Sequence, residues 1–286
     1  MKQTFLFIFI FFVSIQYNFS QKLVLSDQSE ISIITAGPGD VLYEAFGHSA
    51  IRVKDPTLNL DIIFNYGLFD FNQPNFYVNF VKGRLLYRLG KQSFRRFITS
   101  YDYQQRWVKD QVLDLSLVDR VKIFEYLNEN SLPENAEYLY DPYFNNCATK
   151  LRDIAKEILG NKIQFPSSFS DENFTLRQLM NQELPWNTWG SFGINLALGN
   201  TLDKELITDN YMYLPDYVHK GFQKATITEN KITTPLVLEE RQLLRYNEKQ
   251  IKIQWYNPFF VFSLLLLITI VVTFRDQKRN IRSKWL

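Results

Sequence analysis

The chain has 286 residues, 46% hydrophobic and 16% aromatic, which excludes disorder, collagen and coiled coil and allows one large domain or two small ones. Its 32 Lys and Arg nearly balance 30 Asp and Glu, and five of the basic residues (Arg275, Lys278, Arg279, Arg282, Lys284) crowd into the last twelve positions, so no basic surface remains for nucleic acid. Cys147 is the one cysteine and His48 and His219 the two histidines, too few for an intrachain disulfide or a Cys₄ or Cys₂His₂ zinc site.

Lys2 precedes an apolar run from Phe5 to Val13, and the chain turns polar by Asn18, the profile of a secretory signal peptide over residues 1–20 with cleavage near Ser20. Asn18 is larger than the usual residue at its position, so retention as an uncleaved anchor is the alternative. No cysteine follows the run, and the protein is therefore not itself a lipoprotein.

The first clear element is a hairpin: FGHSAIRV (Phe46 to Val53) and LDIIFNYG (Leu60 to Gly67) are β-branched and aromatic runs flanking a loop with Asp55, Pro56 and Asn59. A register that opposes Arg52 to Asp61 also opposes Ile51 to Ile62, and it sets His48 directly across from Asn65. Gln105 to Leu115 reads as another strand. Ser116 with Asp119 three residues on starts a helix through about Asn128. Beyond Pro133, Leu151, Ile154, Ala155, Ile158 and Leu159 recur at helical spacing; Gly160 closes this helix and Asn145 or Asn146 caps it, with Cys147 on the first turn. Further helices are predicted at Thr175 to Gln182, Trp189 to Leu198 and Pro215 to Thr226.

Phe259 to Phe274 is sixteen residues without a charge, preceded by Trp255 and Tyr256 and followed by the basic cluster. That pattern is a bilayer crossing with a cytoplasmic tail, the alternative being a buried core helix. The orientation leaves residues 21–258 outside the cytoplasm, in agreement with the signal peptide.

Chemistry gathers at two positions. A cysteine at a helix N-terminus meets the positive end of the helix dipole and unpaired N–H groups, both favouring the thiolate; equally, a lone cysteine is often a small buried hydrophobe. His48 is either a core imidazole or, with Asn65 holding its ring in one tautomer, the base of a Cys–His pair. His219, early in a helix, reads as an exposed bystander. Ala36 to Asp40 (AGPGD) lacks the Lys-Ser/Thr ending of a phosphate loop and reads as a turn.

GHSAIRV followed about a hundred positions later by NNCATKL resembles the circularly permuted papain-like superfamily, in which a strand histidine precedes a helix cysteine. More closely, the series PGD, FGHSAIRV, FNYGLFDF, NFY, KGRLLY, LPEN, YLYDPYFNNCATKLRD and WGSFGINLALG is similar to the N-terminal periplasmic domain of the Lnb family of bacterial lipoprotein N-acyltransferases, over roughly residues 30–230. The resemblance implies an α+β fold: a permuted papain-like core with antiparallel sheet and helices at 21–165, a helical extension at 166–254, and a transmembrane helix with basic tail at 255–286. It implies transfer of an acyl chain from an inner-membrane phospholipid to the α-amine of a diacylglyceryl-cysteine lipoprotein. Cys147 is then nucleophile, His48 base and Asn65 orienting group, with no cofactor, metal or nucleic acid required. Family members continue into several membrane helices, whereas this sequence offers one.

The aromatic segment FNYGLFDFNQPNFYVNF, with Phe69, Phe71, Phe76 and Tyr77, suits acyl chains, or is ordinary core. Three other functions remain open at this level: a phospholipase or thioesterase with water as acceptor, a cell-wall peptide hydrolase with the same dyad, and a non-catalytic envelope module.

Overall fold

A computed structural model describes residues 23–169, 173–249 and 251–281; the expected signal peptide at 1–20, and Arg282 and Lys284, lie outside the described residues, as does the side chain of Tyr77. The fold is a mixed α and β architecture built on antiparallel sheets. Seven strands form the main sheet: β1 (Glu30–Ala36), β2 (His48–Asp55), β3 (Leu60–Leu68), β4 (Leu86–Ser93), β5 (Val108–Leu113), β6 (Glu137–Leu139) and β10 (Val237–Leu244), in the order β10-β5-β1-β2-β3-β4-β6. A second sheet joins β7 (Ile163–Gln164), β8 (Thr226–Glu229) and β9 (Ile232–Pro235).

Period-2 alternation assigns the two faces of the main sheet. Ile31, Ile33, Ile51, Val53, Phe64 and Tyr66 face the larger core, which α3 (Leu117–Asn130), α4 (Cys147–Leu159) and α7 (Pro215–Lys224) complete with Phe124, Leu127, Leu151, Ile154, Val218 and Phe222. On the other face Ile34, Ala36, Ala50 and Ile63 receive Phe97 and Tyr101 from α2 (Phe94–Tyr103). The remaining helices are α1 (Phe76–Val81), α5 (Leu176–Glu183), α6 (Trp189–Ala197) and α8 (Pro258–Arg279).

The predicted elements form close to their expected bounds, and their caps explain why. Ser116 caps α3 by accepting from the Asp119 amide; Asn146, not Asn145, caps α4. The segment expected to be a helical extension, 166–254, holds α5, α6 and α7 but also β8, β9 and β10, and β10 pairs with β5 to finish the main sheet.

The hairpin forms in a different register from the one expected. Ile51 pairs with Phe64, Val53 with Ile62 and Asp55 with Leu60, so every partner is displaced by two residues and His48 is not directly opposite Asn65. The reason lies in the turn, a tight connection from Pro56 to Asn59 with Asn59 at φ 50°. A slip of two keeps each side chain on its face, because the strand period is two. Arg52 therefore still reaches Asp61, now diagonally.

Arg52 anchors this part of the sheet. Its Nε and Nη2 donate to the two Asp61 carboxylate oxygens at 2.8 Å, its Nη1 donates to Asp110 Oδ2 at 2.8 Å, and its guanidinium lies 3.5 Å from the Phe94 ring centre. Asp110 is fully buried. Removing its counter-ion leaves an uncompensated charge in the interior, so Arg52→Met is expected to cost about 3–5 kcal/mol, read from the urea midpoint. A loss below about 1 kcal/mol would mean that the Arg52–Asp110 pair does not anchor the sheet.

Helix α8 has 22 residues, about 33 Å at the helical rise, and is the one helix among the described residues long and apolar enough to cross a membrane. It is almost wholly exposed, unlike a core helix.

Candidate active site

Cys147 is the first residue of α4, and the cap beneath it is fully committed. Asn146 Oδ1 accepts from the amides of Ala148 (2.8 Å) and Thr149 (2.9 Å), its Nδ2 donates to the carbonyls of Pro142 (2.7 Å) and Tyr213 (2.9 Å), and its own amide donates to Thr149 Oγ1 (2.8 Å). This capping box fixes the first turn and leaves the Cys147 amide unclaimed by the Asn146 side chain. The thiol is half-buried.

His48 opens β2. Gly47 precedes it at φ 74°, and a Cβ at Gly47 would stand 2.7 Å from the Ala36 carbonyl oxygen, so only glycine lets the chain turn into β2 this close to β1. The His48 ring lies within hydrogen-bonding reach of Cys147, and its Nε2 is 2.5 Å from Asn65 Oδ1. Asn65 Oδ1 is an acceptor, which makes Nε2 the protonated nitrogen and leaves Nδ1 for the thiol. The two-residue slip has only turned a directly opposed pair into a diagonal one, which these side chains span. All three residues expected at the site are thus brought together.

A fourth position, not visible in the sequence, shapes the contact. Gly67 sits at φ 91° beside an irregularity in the β3–β4 pairing between Asn65 and Leu68. A Cβ there would lie 3.5 Å from Cys147 Cβ and 3.9 Å from His48 Cε1. The irregular strand brings bare backbone up against the Cys147–His48 pair.

The electrostatics couple the pair. Burial opposes charge on both groups, but the charge and hydrogen bond that each offers the other outweigh it: the His48 pKa is raised above its ordinary value and that of Cys147 is lowered. Asn65 adds to the rise, and the amides of Ser49 and Ala148 add to the fall. The nearby Arg106 charge partly opposes the rise at His48. The arrangement favours a thiolate beside an imidazolium, the activated form of a nucleophilic cysteine.

An aromatic wall runs outward from this pair. Phe69 meets Phe71 (ring centres 4.8 Å), Phe76 (6.0 Å) and Tyr87 (5.0 Å), and Tyr87 stacks on Tyr140 at 3.9 Å. Tyr43, which the sequence did not single out, closes on Phe69 at 5.9 Å and Phe71 at 6.0 Å. Burial first, and then the Cys147 charge, push the Tyr87 hydroxyl up to about 12, so this wall lies within the field of the thiolate. Phe76 is buried whereas Phe71 and Tyr43 are exposed, so the wall reaches from core to surface.

This wall leads toward the apolar C-terminal helix. Leu42, adjacent to Tyr43, packs so tightly on Gly190 of α6 that a Cβ there would stand 2.6 Å from Leu42 Cδ1. Trp189 of α6 in turn donates to the Tyr256 carbonyl at 2.7 Å, just ahead of α8. His219 is remote from the pair: it is largely covered rather than exposed, with Nε2 3.0 Å from Glu240 Oε2 of β10. The sequence had not shown β10, so it could not show this cover. In the AGPGD segment Ala36 ends β1 and residues 37–40 are irregular chain, held by the Arg106 guanidinium donating to the Gly37 carbonyl at 2.8 Å.

A strand histidine, a capped helix cysteine and an apolar C-terminal helix thus belong to one mixed α/β fold built on antiparallel sheets. The chain belongs to the family of the Lnb N-terminal periplasmic domain, whose profile matches residues 16–182 and so takes in His48, Asn65 and Cys147. No curated protein matches the chain. No solved structure matches it either.

Proposed function

We propose that the protein is a membrane-anchored thiol acyltransferase, moving a fatty acyl chain from phospholipid to the N-terminal amine of a diacylglyceryl-cysteine lipoprotein. The observation that carries this is the Cys147–His48–Asn65 constellation at the inner end of an aromatic wall leading toward the membrane helix. Membership of a periplasmic lipoprotein-processing family supports it. The order of strand histidine before helix cysteine also supports a permuted papain-like core.

In the first half-reaction the Cys147 thiolate attacks the ester carbonyl of the phospholipid, and the Cys147 amide stabilises the oxyanion. The C–O bond breaks, and the lysophospholipid oxygen takes its proton from the His48 imidazolium. In the second, the lipoprotein amine gives a proton to neutral His48 and attacks the thioester; the C–S bond breaks, an amide forms and the thiolate returns. Neither half needs more than this chain and its two substrates. In this reading the main domain lies on the periplasmic face of the inner membrane and the basic tail in the cytoplasm.

Mass spectrometry of a lipoprotein N-terminus tests the proposal, using cells that carry the gene, lack it, or carry Cys147→Ser. The N-acyl group is expected only with the wild-type chain. Lysophospholipid release with free fatty acid and no N-acylated product would instead identify water as the acceptor. Asn65→Ala is expected to slow turnover on the order of 10²-fold, since it loosens the ring without removing the proton acceptor. A loss as large as that of a His48 variant would overturn its orienting role.

A further inference from the structure

A cavity of about 600 Å³, within the usual size of a ligand site, lies between α6 and α8. Trp186 and Phe192 wall it on one side and Phe259, Phe262 and Leu266 of α8 on the other, and Ser191 and Asn195 of α6 also line it. None of Cys147, His48 and Asn65 lines it, and the proposed chemistry makes no use of it.

Helix α6 has two unlike faces. Ser191 is buried, and Asn195 is held to the domain by Arg177, whose Nη1 donates to the Asn195 side-chain oxygen at 2.6 Å, and by Asn181, whose carbonyl oxygen accepts from its Nδ2 at 3.0 Å. The adjoining face offers Trp189, Phe192 and Leu196, with Trp186 just before the helix; Leu196 is 71% and Trp186 74% exposed. So large an apolar exposure marks a contact with something outside the domain.

The attachment of α6 to α8 identifies that contact. Phe262 packs on Phe192 (ring centres 5.4 Å) and on Trp189 (6.1 Å), and the Phe259 amide donates to Asn187 Oδ1 at 2.9 Å. Phe262 and Leu266 lie one and two turns into α8, about 6 and 12 Å beyond Pro258 along its axis. If α8 crosses a bilayer, these positions are already below the headgroups. Whatever packs on them, or lines a groove with them, sits at the same depth.

We propose that α6 is an interfacial helix, its Trp186-to-Leu196 face set into the leaflet that α8 enters first, with acyl chains of membrane lipid filling the groove between the two helices. Tryptophan and phenylalanine on one face, with polar anchors on the face beside it, suit a depth of roughly 5–10 Å below the headgroup boundary. The span then does not hang freely from the domain: α6 fixes the domain's tilt, and through Gly190 and Leu42 it fixes the height of the loop that leads to His48.

The test uses the full chain in vesicles of phosphatidylcholine and phosphatidylglycerol, with Cys147→Ser so that a nitroxide attaches only where a cysteine is introduced. Leu196→Cys reports the exposed face, Phe192→Cys the groove, and Ile232→Cys, in the exposed β9, the aqueous reference. Collisions with oxygen and with a water-soluble nickel chelate measure depth. The oxygen-to-nickel ratio at 192 and 196 is expected to exceed that at 232 roughly tenfold, the contrast between a site below the headgroups and one in water. Circular dichroism identical to that of the parent shows that each variant is folded. Ratios at both 192 and 196 equal to that at 232 would overturn the interfacial placement. Because the Cys147→Ser background is inactive under the proposed chemistry, the outcome does not depend on that chemistry.

Discussion

Cys147→Ala is expected to abolish acyl transfer, a fall of about 10⁴-fold or more, while moving the unfolding midpoint by the equivalent of no more than about 1 kcal/mol. The two effects separate because of where the residue sits. The thiol occupies the first position of α4, where the cap is supplied by Asn146 and Thr149 and the packing by Leu151, Ile154 and Leu159 deeper in the helix. The cap does not involve the sulfur, Cys147 itself packs against the core only as a partly buried side chain, and alanine is the better helix former. What alanine cannot supply is a nucleophile for the first half-reaction. Lysophospholipid release from vesicles, measured beside urea unfolding, checks both halves. A variant that still releases lysophospholipid near the wild-type rate would sink the nucleophile assignment; one that has lost both activity and fold would show that Cys147 is a packing residue.

The parts of the site that were legible in the sequence are those fixed by local chemistry. Asn146 before Cys147, with a hydrophobic stripe behind it, specifies a helix start whatever surrounds it, so the thiol could be placed on its first turn. His48 and Asn65 could be put on one face because strand parity survives a slip of two residues. The register itself could not be read, because the pairing that argued for it was Arg52 with Asp61, and a guanidinium on a long stem reaches a carboxylate directly opposite or one pair along. The tight turn at Asn59 made the choice.

What the sequence hid is what tertiary structure alone brings near. Strand β10 carries Glu239, Glu240, Arg241 and Gln242, a polar string without strand character, and becomes a strand because β5 offers it an open edge. With it unseen, His219 had no visible cover. Tyr43 meets Phe69, and Gly67 meets the Cys147–His48 pair, because a loop and an irregular strand deliver them there. No spacing in the chain announces either.

Substitution of His48 by glutamine is expected to cost on the order of 10⁴-fold and to change how the remaining activity depends on pH. In the wild type the Cys147 pKa is lowered and that of His48 raised, and the two titrate as a pair. As pH falls through the lowered value the thiolate is protonated and the nucleophile is lost. As pH rises through the raised value the imidazolium gives up the proton that the departing lysophospholipid oxygen needs. Acylation of Cys147 should therefore be bell-shaped in pH, its acid limb below the range of an ordinary thiol and its alkaline limb above that of an ordinary imidazole. In His48→Gln the charge and hydrogen bond that favour the thiolate are gone, while burial, which opposes it, remains. The thiol should then ionise above the ordinary cysteine range, and the bell should become a single rise toward alkaline pH. Thiolate absorbance in the ultraviolet and the rate of alkylation by iodoacetamide, each followed against pH, read this without any lipid substrate. A Cys147 titration unchanged by the loss of His48 would mean that the helix N-terminus and the Ser49 and Ala148 amides suffice to form the thiolate, and the paired mechanism would give way to a lone activated cysteine.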